Sequence, residues 1–320
     1  MAFACRLLFS VLVSEMAGGF PNDPGFLKHQ KPYFEAVQIP GAWKLVQQDP
    51  NHKVTTIAII DSGMKSDHPD LKDNAVVGYN VVDKNTDTHD REGHGTKMAG
   101  IAGAVINNGI GGAGTALSVR IMPIYDGGLP FNDHYLAEAI KYAVGAKADV
   151  ILFAAGSNKP FDDEATAAIT QAETANIPLI CSAGNEAKEI GQGNHVFPCE
   201  YTKTMDGVIC VAGTLEDTMN LFKKSNYASF IDAAAPATAL MTTYDGGYVV
   251  NSRVSNSAAM VAGVVAMMKS VSPSPLTVKQ IKEAIKHTSD PGVKSSDGKV
   301  TMPFGRVNAF KAVKSAIPAG

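Results

Sequence analysis

Short β-branched runs alternate with longer stretches of helix-spaced apolar residues along most of the chain. Residues 54–60 (VTTIAII) predict a strand that ends at the turn Asp61-Ser62-Gly63. Residues 94–105 carry small apolar side chains at helical spacing, and 119–124 predict a second strand. A helix is predicted over 133–146, with Asp133 as its cap. Further strands are predicted at 150–153, 178–181 and 208–212, and a helix at 163–174. Residues 255–268 and 276–286 predict the closing helices. Strands alternating with helices imply an α/β fold of three layers, a mainly parallel central sheet with helices on both faces. No linker, charge block or internal repeat interrupts the pattern, so residues 22–320 read as one domain. In such sheets, ligands bind beyond the carboxyl ends of the strands. Asp61 and Asn185 each follow a predicted strand and fall on that edge.

Residues 1–21 stand apart. An apolar run at 7–13 follows Arg6 and precedes Ala17, Gly18 and Gly19. It reads either as a short secretory signal or as the remnant of a truncated upstream segment. No run reaches the ~20 apolar residues of a membrane-spanning helix. The apolar stretch 258–268 stops at Lys269 and reads as a buried helix.

Composition narrows the function classes. The chain has 320 residues, 45% hydrophobic and 18% charged, enough apolar surface to form a core. Its net charge, 28 − 31 = −3, gives no basic excess for nucleic acid or an anionic membrane. Four cysteines are too few for a disulfide scaffold of this length. Cys199 and Cys210 flank a short polar turn and read equally as a disulfide or as free buried thiols.

Four segments carry candidate chemistry. Asp61, held at a strand end beside glycine, suits an orienting carboxylate for an imidazole. His94 lies between Gly93 and Gly95 at a helix start, where the helix dipole is expected to favour the neutral ring and so a general base. Ser255 opens an apolar helix, where backbone N–H groups stabilise negative charge near its oxygen. Asn185, in Ser182-Ala183-Gly184-Asn185, can offer its carboxamide N–H to a developing oxyanion. Each segment alone also fits an ordinary turn or cap.

Together, in the order Asp61, His94, Asn185, Ser255, they resemble the subtilisin-like serine peptidases. The resemblance runs from about Asn22 to Ala316 and includes His68-Pro69-Asp70-Leu71, Gly93-His94-Gly95-Thr96, Ser225-Asn226-Tyr227 and Gly305-Arg306-Val307-Asn308-Ala309. It implies a serine endopeptidase with Ser255 as nucleophile, His94 as base and acid, and Asp61 orienting the imidazole. Asn185 and the Ser255 N–H would hold the oxyanion. A peptide or protein substrate would add as a strand along Ala154, Ala155 and Gly156. Ala183 and Gly184 would line the primary specificity pocket, with room for a large apolar side chain. The resemblance also implies a structural Ca²⁺ held by Asp70, the Asn108 side chain and carbonyls of Ile106, Ile110 and Gly112. A monomer, secreted and without a membrane span, completes the expectation.

The chain departs from the family pattern at the nucleophile. Arg253 stands where the family has glycine, Val254 where it has threonine, and Ala259 where it has proline. Arg253 is expected to strain the backbone if the position needs positive φ, or to enter the cleft. Val254 lacks a hydroxyl that assists the oxyanion. Leu152 replaces a usual asparagine. Only about 25 residues precede the matching region, where the family commonly carries a prodomain. These departures support an alternative, a catalytically impaired relative that binds peptides or proteins. Gly109-Ile110-Gly111-Gly112-Ala113-Gly114 fits a dinucleotide fingerprint, but a helix precedes it and a strand follows, the reverse of what that motif needs.

Overall fold

The computed structural model describes residues 21–128, 131–191, 193–242 and 245–318. The signal-like run and Cys5 lie outside them. Seven parallel strands form the central sheet: β1 Thr55–Asp61, β2 Tyr79–Asn80, β3 Val119–Tyr125, β4 Val150–Phe153, β5 Leu179–Ser182, β6 Val208–Thr214 and β7 Ala233–Pro236. Their spatial order is β2-β3-β1-β4-β5-β6-β7. The chain winds from β1 towards β3 and β2 on one side, then crosses to β4 and continues outward on the other. The reversal falls between β1 and β4, and in sheets of this kind a crevice opens at that point, beyond the strand ends.

Side chains alternate strictly across this sheet. Ile57, Ile59, Val150, Leu152, Ile180, Ile209 and Val211 face one core. Ala58, Ile60, Ile151, Phe153, Leu179, Cys181 and Cys210 face the other. The first core is filled by the histidine helix, His94–Gly103, and the serine helix, Val254–Val271. Helices Asp133–Gly145 and Asp163–Thr174 cover the second. Both faces being covered explains why the strands read as continuous apolar runs. The serine helix is long and apolar enough to cross a membrane, but 94% of that span is buried, as expected of a core helix.

Several elements differ from expectation. Asn132, not Asp133, caps its helix by accepting the Tyr135 N–H, and Asp133 instead accepts the Asp162 N–H. A π-turn at Phe26–Gln30 and helices Lys31–Ala36 and Ile39–Gln48 precede β1. They bring Phe26, Phe34 and Trp43 into one buried aromatic cluster. An antiparallel hairpin, β8 Thr238–Thr242 with β9 Tyr248–Ser252, leads into the serine helix. Cys199 and Cys210 form a disulfide with Cα atoms 4.9 Å apart, and Cys181 is a buried free thiol.

Leu152 is fully buried on the face shared with the serine helix. Leu152→Ala is expected to lower unfolding free energy by about 2–5 kcal/mol, through lost transfer energy and the cavity left behind. Urea unfolding followed by circular dichroism checks this.

Candidate active site

β1 delivers Asp61 to the sheet edge, and the turn after it passes through Gly63. Gly63 has φ of +104°, a conformation that side chains rarely adopt. The histidine helix starts against this turn: a Cβ on Gly95 would lie 2.0 Å from the Gly63 carbonyl oxygen. Glycine at 95 is therefore a requirement of close approach. The approach sets His94 Nδ1 2.8 Å from Asp61 Oδ2 and 2.9 Å from Oδ1. His94 Nε2 lies 3.3 Å from Ser255 Oγ. Asp61 and Ser255 are buried, while the imidazole between them is partly open to solvent.

Asp90, which the sequence reading missed, holds this arrangement from beneath. It is 1% exposed. Its carboxylate accepts the N–H groups of Glu92 (3.0 Å), Gly93 (2.6 Å) and Thr96 (2.9 Å), and the hydroxyls of Ser62 (2.8 Å) and Thr96. Ser62 Oγ in turn accepts the Gly95 N–H at 3.0 Å. An anion at these N–H groups both caps the helix and complements its dipole. The available signal was an aspartate shortly before a helix start.

The expectation that the dipole keeps His94 neutral is corrected. The Asp61 carboxylate is the larger influence, and it raises the imidazole above its ordinary value against the effect of burial.

Asn185 follows β5, and its Oδ1 accepts the Val254 N–H at the start of the serine helix, at 3.0 Å. That bond fixes the NH₂ as the donor end of the carboxamide. Fully buried Asn226 shapes the loop before it. Its NH₂ donates to the Ala183 carbonyl and the Glu186 carboxylate, and its Oδ1 accepts the N–H groups of Glu186 and Lys188. Gly184, with φ of +95°, makes the turn.

Arg253 is extended, with φ of −152°, so its backbone carries no strain of the kind expected. Its exposed side chain turns back to the Ser252 carbonyl. Val254 is fully buried and belongs to the core on the far side of the sheet from most of its helix. Ser257 is buried and donates to the carbonyls of Ala235 and Pro236, away from His94.

A cleft of about 810 Å³ opens beside His94, lined by Ala154, Ala155, Gly156, Ser182, Gly184 and Asn185 among others. Ala183 is fully buried, because strand alternation turns its neighbours to the cleft and it away. Glycine at 156 answers to packing: a Cβ there would lie 2.8 Å from the Phe197 carbonyl oxygen. Glu92, Asp126, Lys188 and His195 also line the cleft and were not foreseen.

Among the described residues, no three His, Cys, Asp or Glu side chains gather as a metal cluster. The loop expected to hold calcium packs against two buried carboxylates, Asp70 and the unforeseen Asp23. Asn108 presents its NH₂, not its oxygen, to Asp70 at 2.7 Å, and Gly112 presents its N–H at 3.1 Å. Asp23 accepts the N–H groups of Asn107, Asn108 and Gly109. Burial raises both carboxyls, and repulsion from Asp23 helps carry Asp70 to about 6. The two neighbouring buried carboxylates are hard-oxygen donors of the kind that suit Ca²⁺, but the expected Asn108 ligand is not formed, since its Oδ1 accepts the Ile110 N–H and its NH₂ faces Asp70.

A parallel α/β sheet with a serine, a histidine and an aspartate joined in series at its carboxyl edge defines a serine-hydrolase type of site. The sequence model of the subtilase family matches residues 52–306, and the chain belongs to that family. It is 33% identical over 297 residues to thermitase of Thermoactinomyces vulgaris, covering 92% of this chain and 99% of that protein. It is 32% identical over 265 residues to a thermophilic serine proteinase of Bacillus sp. (strain AK1), covering 80% of this chain and 61% of the other. In three dimensions it is similar to a protease of Pseudoalteromonas arctica, with a TM-score of 0.78, 25% identity, and coverage of 93% of this chain and 100% of that one.

The Asp61–His94 pair makes a spectroscopic prediction. NMR titration of the His94 ring is expected to give a midpoint above the ordinary ~6.5. In Asp61→Asn the carboxylate charge is gone, the imidazolium loses its stabilisation, and the midpoint falls.

Proposed function

We propose that this chain is a serine endopeptidase that cleaves extended peptide segments through an acyl-enzyme. The observation that carries the reading is the hydrogen-bonded series Asp61, His94, Ser255, set beside an Asn185 tethered to the serine-helix N-terminus. The Ser255 oxygen attacks the scissile carbonyl carbon as its proton passes to His94 Nε2. Asp61 holds the ring with Nδ1–H towards it and stabilises the imidazolium that forms. The Asn185 NH₂ and the Ser255 N–H bind the oxyanion. The C–N bond then breaks, and His94 gives the proton to the leaving amine. Water, deprotonated by the same ring, releases the acyl group. The substrate lies along Ala154, Ala155 and Gly156, with its specificity side chain towards the wall formed by Ser182 and Gly184.

The impaired-relative alternative loses its main supports here. Arg253 neither strains the turn nor enters the cleft, and two oxyanion donors remain without a threonine at 254. The Cys199–Cys210 disulfide fits an oxidising compartment, and we take the protein to act outside the cell as a monomer.

Covalent labelling by a fluorophosphonate probe tests the activity. Adduct on the Ser255 peptide, lost in Ser255→Ala, is the expected result. A folded chain that takes no label would overturn the reading. Labelling should weaken at low pH as His94 becomes protonated, with a midpoint above that of an unperturbed imidazole.

We also take Asp23 and Asp70 to be the carboxylates that would hold a structural Ca²⁺, which would offset their shared burial. Millimolar Ca²⁺ is expected to raise the melting temperature by roughly 5 °C or more over EGTA, with the response lost in Asp70→Asn. Equal melting curves in the two buffers would remove calcium from the account.

A further inference from the structure

Asn256, directly after Ser255 on the serine helix, is 1% exposed. Its side chain reaches the open end of the β8–β9 hairpin, where Thr238 pairs with Ser252. The NH₂ donates twice, to the Ala237 carbonyl at 2.7 Å and to the Asn251 carbonyl at 3.1 Å. Ala237 stands just before β8 and Asn251 lies in β9. One carboxamide therefore joins both strands of the hairpin to the helix.

The other half of that carboxamide is unanswered. Asn256 Oδ1 is buried and, among the described residues, has no hydrogen-bond partner. A buried amide oxygen without a donor is unfavourable. Turning the group over is no remedy, because Oδ1 would then face two carbonyl oxygens. The two donated bonds fix the orientation of the amide and hold it although its oxygen has no partner.

What they hold is the turn that carries the nucleophile. The Arg253 N–H donates to the same Ala237 carbonyl at 3.1 Å, and the Asn256 N–H donates to the Arg253 carbonyl at 3.2 Å. Asn185 takes the Val254 N–H. The stretch 251–256 is thus tied to the start of β8 through Asn256 and Arg253, and to the loop after β5 through Val254. The next N–H along the helix is that of Ser255, which the proposed function turns to the oxyanion. Peptide units are planar, so the direction of that N–H follows from how the turn is held. We propose that Asn256 is a positioning residue: its NH₂ anchors the turn 251–255 to the hairpin and thereby aims the Ser255 N–H. The inference rests on the peptidase reading only for what that N–H binds.

Asn256→Leu in the full-length chain tests this. Leucine has the same branching without polar atoms, so it removes the unanswered oxygen together with the NH₂. It strands no buried acceptor: the Ala237 carbonyl keeps the Arg253 N–H, and Asn251 is exposed. The melting temperature is therefore expected to stay within roughly 4 °C of wild type. Amide hydrogen exchange at Arg253 and Val254 should become roughly ten-fold faster or more. Fluorophosphonate labelling of Ser255 at saturating probe should slow roughly ten- to hundred-fold, with the half-saturating probe concentration little changed. The His94 titration midpoint should not move, since Asp61 and His94 are untouched. A merely structural role would instead lower the melting temperature and leave the labelling rate of the folded chain as it was. Asn256→Ala, which adds no bulk, is measured alongside and is expected to show the same faster exchange and slower labelling. Exchange at 253 and 254 that both variants leave at the wild-type rate overturns the anchoring, and an unchanged labelling rate overturns the aiming of the Ser255 N–H. If the wild-type chain takes no label, the peptidase reading falls, and the exchange rates alone decide whether Asn256 holds the turn.

Discussion

The contact on which the site depends is between two pieces of backbone, the turn that closes β1 and the first turn of the histidine helix. A methyl group at Gly95 would collide with the Gly63 carbonyl, so the helix can approach the turn only with glycine at 95. The meeting fixes how far His94 stands from Asp61 before any side-chain rotamer is chosen. Asp90 then locks it. A buried carboxylate is costly unless its lone pairs are answered, and here N–H and hydroxyl groups from both segments answer them. Breaking that network would leave a buried anion and the helix donors unpaired together, so the two segments stay in register as one unit.

The serine helix supplies the other half of the geometry by a different route. It is apolar all round because it runs through the core beneath the sheet, and that buried course brings its N-terminus up at the same edge. The first N–H groups of a helix have no partners within it. One of them, on Val254, binds Asn185 at the end of β5. Helix and sheet edge are therefore tied by a hydrogen bond that also orients a candidate oxyanion donor. Stability and chemistry draw on the same unsatisfied backbone groups.

These origins explain what was legible in the sequence. β1, β3, β4, β5 and β6 are covered on both faces, so their apolar runs stand out. β9 is almost wholly exposed and β7 is a run of alanines, so neither carries an alternation to detect. The helix Ile39–Gln48 opens with proline and glycine, which disguise its start. Asp61, His94, Asn185 and Ser255 could be singled out because each sits in a short motif at an element boundary. Asp23 and Asp90 could not be found so readily, and Asn226 was legible only as part of a motif. Their work is done on backbone N–H groups, in loops and at a helix start. Asp23 binds a loop more than 80 residues away, and such pairing leaves no local spacing to read. Ala183 was carried over from the family resemblance, and its burial away from the cleft is a property of the folded strand end that the motif Ala183-Gly184-Asn185 does not encode.

The departures at the nucleophile show why a motif mismatch has to be weighed against conformation. A glycine matters where φ is positive or where another backbone passes close. Position 253 has an extended backbone, so arginine adds there no strain of the left-handed kind, and its side chain lies in solvent against its own chain. Position 254 is a different case, since valine removes a donor outright. Its methyl groups lie close to Gly213, in the second core. Hydrophobic packing at the root of the serine helix thus takes the place of a polar contact near the oxyanion. Losing even a principal oxyanion donor costs about 10²–10³ in turnover, whereas misplacing the nucleophile or its base removes the reaction path itself. In the proposed reaction, a rigid helix root that keeps Ser255 Oγ within reach of His94 therefore matters more than the hydroxyl it replaces.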